Sequence, residues 1–189
     1  MKLSSVFILC CVVAAGTLAQ AQATGSSAPA SQAGPTKDPV ATSLRSLLPR
    51  SRNNILGAIS AMPADKFNYK PTPDQATFAH LVVHIVNSNN STCSKVADVP
   101  APKVDELKET DSKEKMVAAA TASFDFCNEA LSKMDDSKLG DSVEFFGGHQ
   151  FPRAMGALAL ASGWADHYAA AAQYLRLNGI LPPSAQPKK

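Results

Sequence analysis

The sequence predicts an all-α fold, a four-helix bundle with a crossover connection. Apolar residues recur at helical spacing in four stretches of about 20 residues each. Alanine is frequent in the second half of the chain and aromatic residues make up only 6% of it, which favours helices over a β-sandwich. The predicted loops, about 10 to 17 residues long, exceed what a simple up-and-down bundle needs and therefore indicate the crossover.

The first helix is predicted at residues 40–62, where leucine and isoleucine recur at helical spacing. Pro49 lies inside this stretch and is expected to bend or restart the helix, because proline has no backbone N–H to donate. Residues 64–73 are predicted to form an extended loop. Thr77 is a good N-cap, so the second helix is expected to run from about Thr77 to Val96.

The third helix is predicted at residues 112–134, after Pro100 and Pro102 have prevented the second from continuing. A loop rich in Asp, Gly and Phe follows at 135–151. Within it, residues 142–146 could be extended, but a single strand makes no sheet. The fourth helix is predicted at 152–178, and Gly179 is expected to end it.

The two ends of the chain are predicted to lie outside the folded domain. Residues 1–23 carry one positive charge, a short apolar run and small residues of the A-x-A kind, as in a cleavable secretory signal peptide. Residues 24–39 read as a flexible linker, 184–189 as a disordered tail, and 40–183 as a single folded domain. We therefore expect an exported protein, periplasmic or secreted, with no membrane anchor once the signal is removed.

Composition and cysteine count narrow the classes of partner and of chemistry. Charged residues make up 18% of the chain, the net charge is +2, and no basic block is present, so nucleic acid is not an expected partner. Cys93 and Cys127 remain after signal removal. An even pair in an exported protein favours a disulfide between neighbouring helices over a nucleophile or a redox motif.

Histidines are the only residues that the sequence singles out as candidate metal ligands. His80 and His84 are four residues apart on one face of the predicted second helix, a spacing that suits a shared metal ion and that is also common in solvated pairs. His167 lies on a small-residue face of the fourth helix, which suits close helix packing or a ligand. The sequence contains no G-x-S-x-G, no H-E-x-x-H and no glycine-rich phosphate loop, so no catalytic or cofactor-binding residue is assigned.

Residues 40–183 resemble the DinB-like superfamily of bacterial four-helix bundles, sometimes described as metal-dependent hydrolases. Two stretches carry the resemblance. The first includes the segment from Met62 to Pro73 and the motif HLVVHI at 80–85. The second is His167-Tyr168 followed by YLRLNGILPP at 174–183, which is similar to the closing segment of that family.

The resemblance implies a divalent metal, often nickel or zinc, held by three histidines. His84 matches the ligand from the second helix, and His167 matches the later member of an H-x-x-x-H pair on the last helix. The earlier member would fall at Gly163, which has no donor, and Ala170 replaces a glutamine common in the family. His80 is the remaining candidate for a third ligand, and any metal is expected to be weakly held.

Three functional hypotheses follow from these features. The first is an exported binding module for a small ligand or a protein partner, with a degenerate metal site. The second, implied by the resemblance, is a metal-dependent hydrolase or thiol S-transferase that uses His84 and His167 with a third ligand such as His80. The third is a homodimer in which the small residues at 169–172 pack against a second copy.

Overall fold

In the part of the chain that the structure describes, four α-helices and one short β-hairpin follow each other. The computed structural model describes residues 34–145 and 147–187, so the predicted signal peptide and residues 24–33 of the predicted linker lie outside the described residues. The helices are α1 (Pro39–Ala61), α2 (Phe78–Ala97), α3 (Lys113–Ser132) and α4 (Arg153–Leu177), and the strands are β1 (Ser142–Phe145) and β2 (His149–Pro152). The predicted four-helix architecture is confirmed.

Helix α1 runs through Pro49 without restarting, contrary to one of the two alternatives predicted for that residue. Proline removes one backbone hydrogen bond from a helix interior. The helix continues because Leu48 and Ile55, on either side of Pro49, are both buried in the same core. The first turn of α1 is capped by a residue that is distant in the sequence. The Asp136 carboxylate accepts hydrogen bonds from the backbone N–H groups of Val40 and Ala41 at 2.8 and 2.9 Å.

The ends of the other helices follow the capping residues in the sequence. Thr77 and Ser112 accept hydrogen bonds from the third N–H of α2 and α3, at 2.9 and 3.3 Å. Beyond α4, Gly179 has a φ of 73°, in the left-handed region that glycine tolerates best. A 3-10 turn at Pro183–Ala185 follows, where the Tyr168 hydroxyl donates to Ser184 Oγ at 2.7 Å. The predicted tail therefore begins inside an ordered turn.

The helices pack in an order that differs from their order in the sequence, as the predicted crossover connection requires. Helix α1 packs on α3 and α4, and α2 also packs on α3 and α4. Helices α1 and α2 therefore occupy one diagonal of the bundle and α3 and α4 the other. Two of the three connections, at 62–77 and 133–152, join helices that lie diagonally opposite, and only the connection at 98–112 joins neighbours.

The β-hairpin is a departure from the sequence prediction, which left the extended run at 142–146 without a partner. Strands β1 and β2 pair antiparallel, with Val143 opposite Phe151. Gly147 and Gly148 have φ values of 77° and 86°, which supply the turn. Phe145 is buried and packs over Gly156 of α4. A Cβ added at Gly156 would lie 2.9 Å from Val96 Cγ2 and closer still to the Phe145 ring, so the ring occupies space that any other residue's side chain would need. This contact fixes the hairpin to the bundle.

The core lies between the four helices, and its largest fully buried side chains include Phe78, Phe124 and Trp164. The predicted disulfide between Cys93 and Cys127 is present and joins α2 to α3, with 5.2 Å between the two Cα atoms. Both cysteines are fully buried. None of the helices at 34–145 and 147–187 is long and apolar enough to cross a bilayer.

Candidate functional site

His84 and His167 lie next to each other on the neighbouring helices α2 and α4. Their ring centroids are 5.0 Å apart, and the ring planes meet edge to face at 88°. The packing of α2 against α4 brings the two imidazoles together, although 83 positions separate them in the sequence. The expectation that these two side chains converge across the bundle is therefore met in the structure.

The environment of His167 favours its neutral form. The pKa of His167 is lowered from 6.5 to about 4, mainly by burial and in part by the nearby charge of His84, while Asp166 opposes the shift. Removing a charge from water is costly, so a half-buried imidazole beside a second imidazole releases its proton readily. At neutral pH, His167 thus carries a free nitrogen lone pair, which is the form that binds metals.

The side-chain nitrogen Nδ1 of His167 is buried, and no hydrogen-bond partner reaches it from the residues that the structure describes. A buried polar atom without a partner costs roughly 1–3 kcal/mol, so a cation, a water molecule or a polar ligand atom at this nitrogen would be stabilising. The exposed imidazole of His84 opens the pair to solvent on one side.

The spacing of the two rings is compatible with a shared cation. Two imidazoles that bind one tetrahedral ion through bonds of about 2.1 Å have centroids roughly 5 Å apart. The pair at 5.0 Å fits that distance. The residues thus fit a divalent ion held by two imidazoles, and they fall one donor short of the three-histidine set that the family resemblance implies.

Gly163 leaves space where that third donor would lie. It is one helical turn before His167, and a Cβ built on it would have His167 Cε1 at 3.7 Å as its nearest neighbour, an ordinary van der Waals distance. A side chain at this position would therefore face the imidazole without a clash. Ala170, the other predicted departure, is half-buried on the same helix and adds no donor.

His80 makes a different contact. Its Nδ1 is 2.8 Å from Glu109 Oε1, and the other carboxylate oxygen of Glu109 accepts a hydrogen bond from Thr77 at 2.8 Å. The hydrogen bond with His80 is the main reason that the pKa of Glu109 is lowered. Within the described parts of the chain, no three His, Cys, Asp or Glu side chains form a group that could hold a metal ion.

Glu109 is the residue of this region that the sequence did not single out. It lies in the charged connection between α2 and α3, one of several acidic residues there. The structure brings its carboxylate to the N-terminus of α2, 29 positions from His80. A long connection with many charges gives no signal for which of them will meet a given histidine.

Comparisons with known proteins show the family to which the chain is related. Residues 47–170 match the DinB superfamily. A crystal structure of a DinB-like protein from Bacillus cereus ATCC 10987 is similar, with a TM-score of 0.61 and 16% sequence identity, over 75% of this chain and 95% of that chain. At this identity, the structural likeness shows the fold alone. None of the curated proteins matches the chain.

Proposed function

Because the chain belongs to the DinB superfamily, we propose that it is an exported binding module in which His84 and His167 hold a divalent cation weakly. Two imidazoles leave the remaining coordination positions of such a cation to water or to a ligand atom. The cation would supply Lewis acidity and positive charge at the surface between α2 and α4. The protein would supply a neutral imidazole, a second exposed imidazole and the open space at Gly163.

The observation that carries the proposal is the 5.0 Å ring pair, together with the unpartnered Nδ1 of His167. A histidine pair with only a packing role gains nothing from a buried nitrogen that has no partner. Imidazole ligands suit both nickel and zinc, the metals that the family resemblance implies. The weak hold follows from the ligand count, because catalytic zinc sites usually have three protein ligands.

Export is supported by the buried disulfide. Disulfides form and persist in oxidising compartments such as the periplasm or the extracellular space, and are rare in reducing ones. Cys93 and Cys127 pair between α2 and α3.

The substitution Gly163→His tests the metal site. It restores a histidine four residues before His167 on α4, where the two side chains share a face. We expect the variant to bind zinc or nickel at least about tenfold more tightly than the natural chain, in isothermal titration of untagged protein. Gly163→Ala is the matched control, since it adds the Cβ without a donor and should leave the affinity unchanged.

A second substitution shows whether the added histidine uses the natural pair. In the Gly163→His background, His84→Ala should abolish most of the gain, because only two ligands remain. If Gly163→His folds normally and gains no affinity, the two natural imidazoles do not frame a metal site and the proposal is wrong.

A further inference from the structure

A cavity of about 340 Å³ lies on the opposite flank of α2 from the histidine pair, between α2, α3 and the segment that connects them. Its volume is in the usual range for small-molecule sites. Most of its wall is apolar, contributed by Val86, Val104, Leu107, Ala118, Ala119 and Ala122. The cavity therefore offers the kind of surface that an apolar molecule would leave water to contact.

The segment that covers this cavity is held mainly at its two ends. At one end, Ser94 and Val99 exchange two hydrogen bonds, from Ser94 Oγ to the Val99 carbonyl and from the Val99 N–H to the Ser94 carbonyl. At the other, the Lys108 N–H donates to the Asp111 carboxylate. Between these ends, residues 100–107 make no backbone hydrogen bond within the described part of the chain. Within this segment the side chain of Leu107 is buried, whereas that of Val104 is 62% exposed.

A covering segment of this kind can move without breaking secondary structure. Its displacement costs the packing of a few side chains and no ladder of backbone hydrogen bonds. A ligand could therefore enter between residues 102–107 and α3 while α2 and α3 stay joined by their disulfide.

The two amide side chains at the wall leave the cavity mainly apolar. Asn90 lines the cavity, but its side-chain oxygen Oδ1 has almost no accessible surface and therefore does not open into the cavity space. Asn87 is exposed and can be hydrated.

The charges around the cavity favour a neutral ligand. Among the residues that the structure describes, Lys115 and Asp105 are the only charged ones that line it, and their formal charges cancel. The ammonium of Lys115 is already paired with Asp111 at 2.9 Å. The carboxylate of Asp105 is exposed to solvent, so a charged ligand would lose its hydration in this apolar space and gain at most a solvated counter-charge.

We infer that this cavity binds a small, neutral, apolar molecule. The site lies between α2 and α3, whereas the histidine pair lies between α2 and α4. The cavity is therefore independent of the proposed metal site, so an experiment can overturn one proposal without affecting the other.

N-phenyl-1-naphthylamine is a suitable probe, because it is neutral and apolar and fluoresces strongly when it leaves water. We expect saturable binding of one probe per chain. Ala119→Phe, which fills the cavity from α3, should abolish the fluorescence gain. Ala169→Phe is the matched control, because it places the same side chain at an exposed position of α4 away from the cavity, and it should bind as the natural chain does.

Ala122→Trp is a second blocking variant, for the case that Ala119→Phe does not fold. Ala122 is exposed at the rim, so a large side chain there covers the cavity without entering the core. Circular dichroism establishes that each variant is folded. Absence of saturable binding to the natural chain, or binding that survives the folded blocking variants, would overturn the assignment of this site.

Discussion

The indole N–H of Trp164 donates a hydrogen bond of 3.0 Å to the side-chain oxygen of Asn89 in the centre of the bundle. The amide nitrogen of Asn89 donates in turn to the hydroxyl of Ser123 at 3.1 Å. Trp164, Asn89 and Ser123 are all at most 2% exposed and come from α4, α2 and α3, respectively. One asparagine therefore satisfies polar groups on two other helices and fixes how the three helices align.

We predict that Asn89→Ala lowers the free energy of unfolding by about 1–3 kcal/mol, because it leaves the buried indole N–H without an acceptor. Urea unfolding followed by circular dichroism measures the change. Asn128→Ala, at an exposed position of α3, should shift stability by no more than about 0.5 kcal/mol. Equal effects of the two substitutions would mean that the network contributes no stability.

The disulfide allows a second prediction. Cys93 and Cys127 are 34 positions apart, so their bond restricts a long loop of the unfolded chain. Replacing both with alanine should lower the free energy of unfolding by about 2–4 kcal/mol. Because alanine at these two buried positions also removes packing contacts, the contribution of the disulfide itself is measured by unfolding the natural chain in urea with and without a reductant. A midpoint that does not change with reductant would show that the thiols are not paired in the purified protein.

Two glycines on α4 should respond to alanine with opposite signs. At Gly156, a Cβ would collide with the Phe145 ring and with Val96, so Gly156→Ala should destabilise the fold by about 1–3 kcal/mol. At Gly163 the nearest atom lies at 3.7 Å, so Gly163→Ala should stabilise the helix by about 0.5–1 kcal/mol. Thermal unfolding of the two variants checks the pair, and a stabilising Gly156→Ala would contradict the close approach of the hairpin.

The lowered pKa of His167 makes stability depend on pH. In the unfolded chain this histidine takes up a proton near its ordinary value of 6.5, whereas in the folded chain it does so only near 4. Between these values the unfolded state binds more protons, so stability is lost as pH falls from about 6.5 to about 4. Above pH 6.5 both states are neutral and the effect is absent.

The substitution His167→Gln isolates this contribution. In metal-free protein, the natural chain should lose more stability than His167→Gln between pH 7 and pH 4.5, as measured by urea unfolding at each pH. His149→Gln, in the exposed strand β2, serves as the control and should keep the slope of the natural chain. Parallel curves for the natural chain and His167→Gln would show that burial does not favour the neutral imidazole.

Helix positions could be predicted from the sequence because their signals are local. Thr77 and Ser112 precede the first turns of α2 and α3 as N-caps, and Gly179 follows α4. Each of these residues satisfies or permits the geometry of a helix end without help from the rest of the chain. For this reason the predicted and observed ends of these helices differ by at most two residues.

The hairpin and the partner of His80 could not be predicted, because both depend on distant contacts. Strands of four residues at β1 and β2 give too short a pattern to recognise, and the hairpin is stabilised by the contact of Phe145 with Gly156. Glu109 meets His80 only because the long connection after α2 returns to the start of that helix. The convergence of His84 and His167 followed from the family resemblance, since periodicity alone does not say which helices are neighbours.

The diagonal arrangement of the helices has a consequence for the order in which the protein folds. Of the four described helices, α1 is synthesised first, yet it packs on α3 and α4, the two that are synthesised last. Its buried face, with Leu44, Leu48 and Ile55, therefore stays uncovered until most of the chain has been made. Among the four described helices, only α2 and α3 are both consecutive and closely packed on each other, and the disulfide joins these two. The earliest stable unit is thus expected in the middle of the sequence, with the first and last helices closing around it.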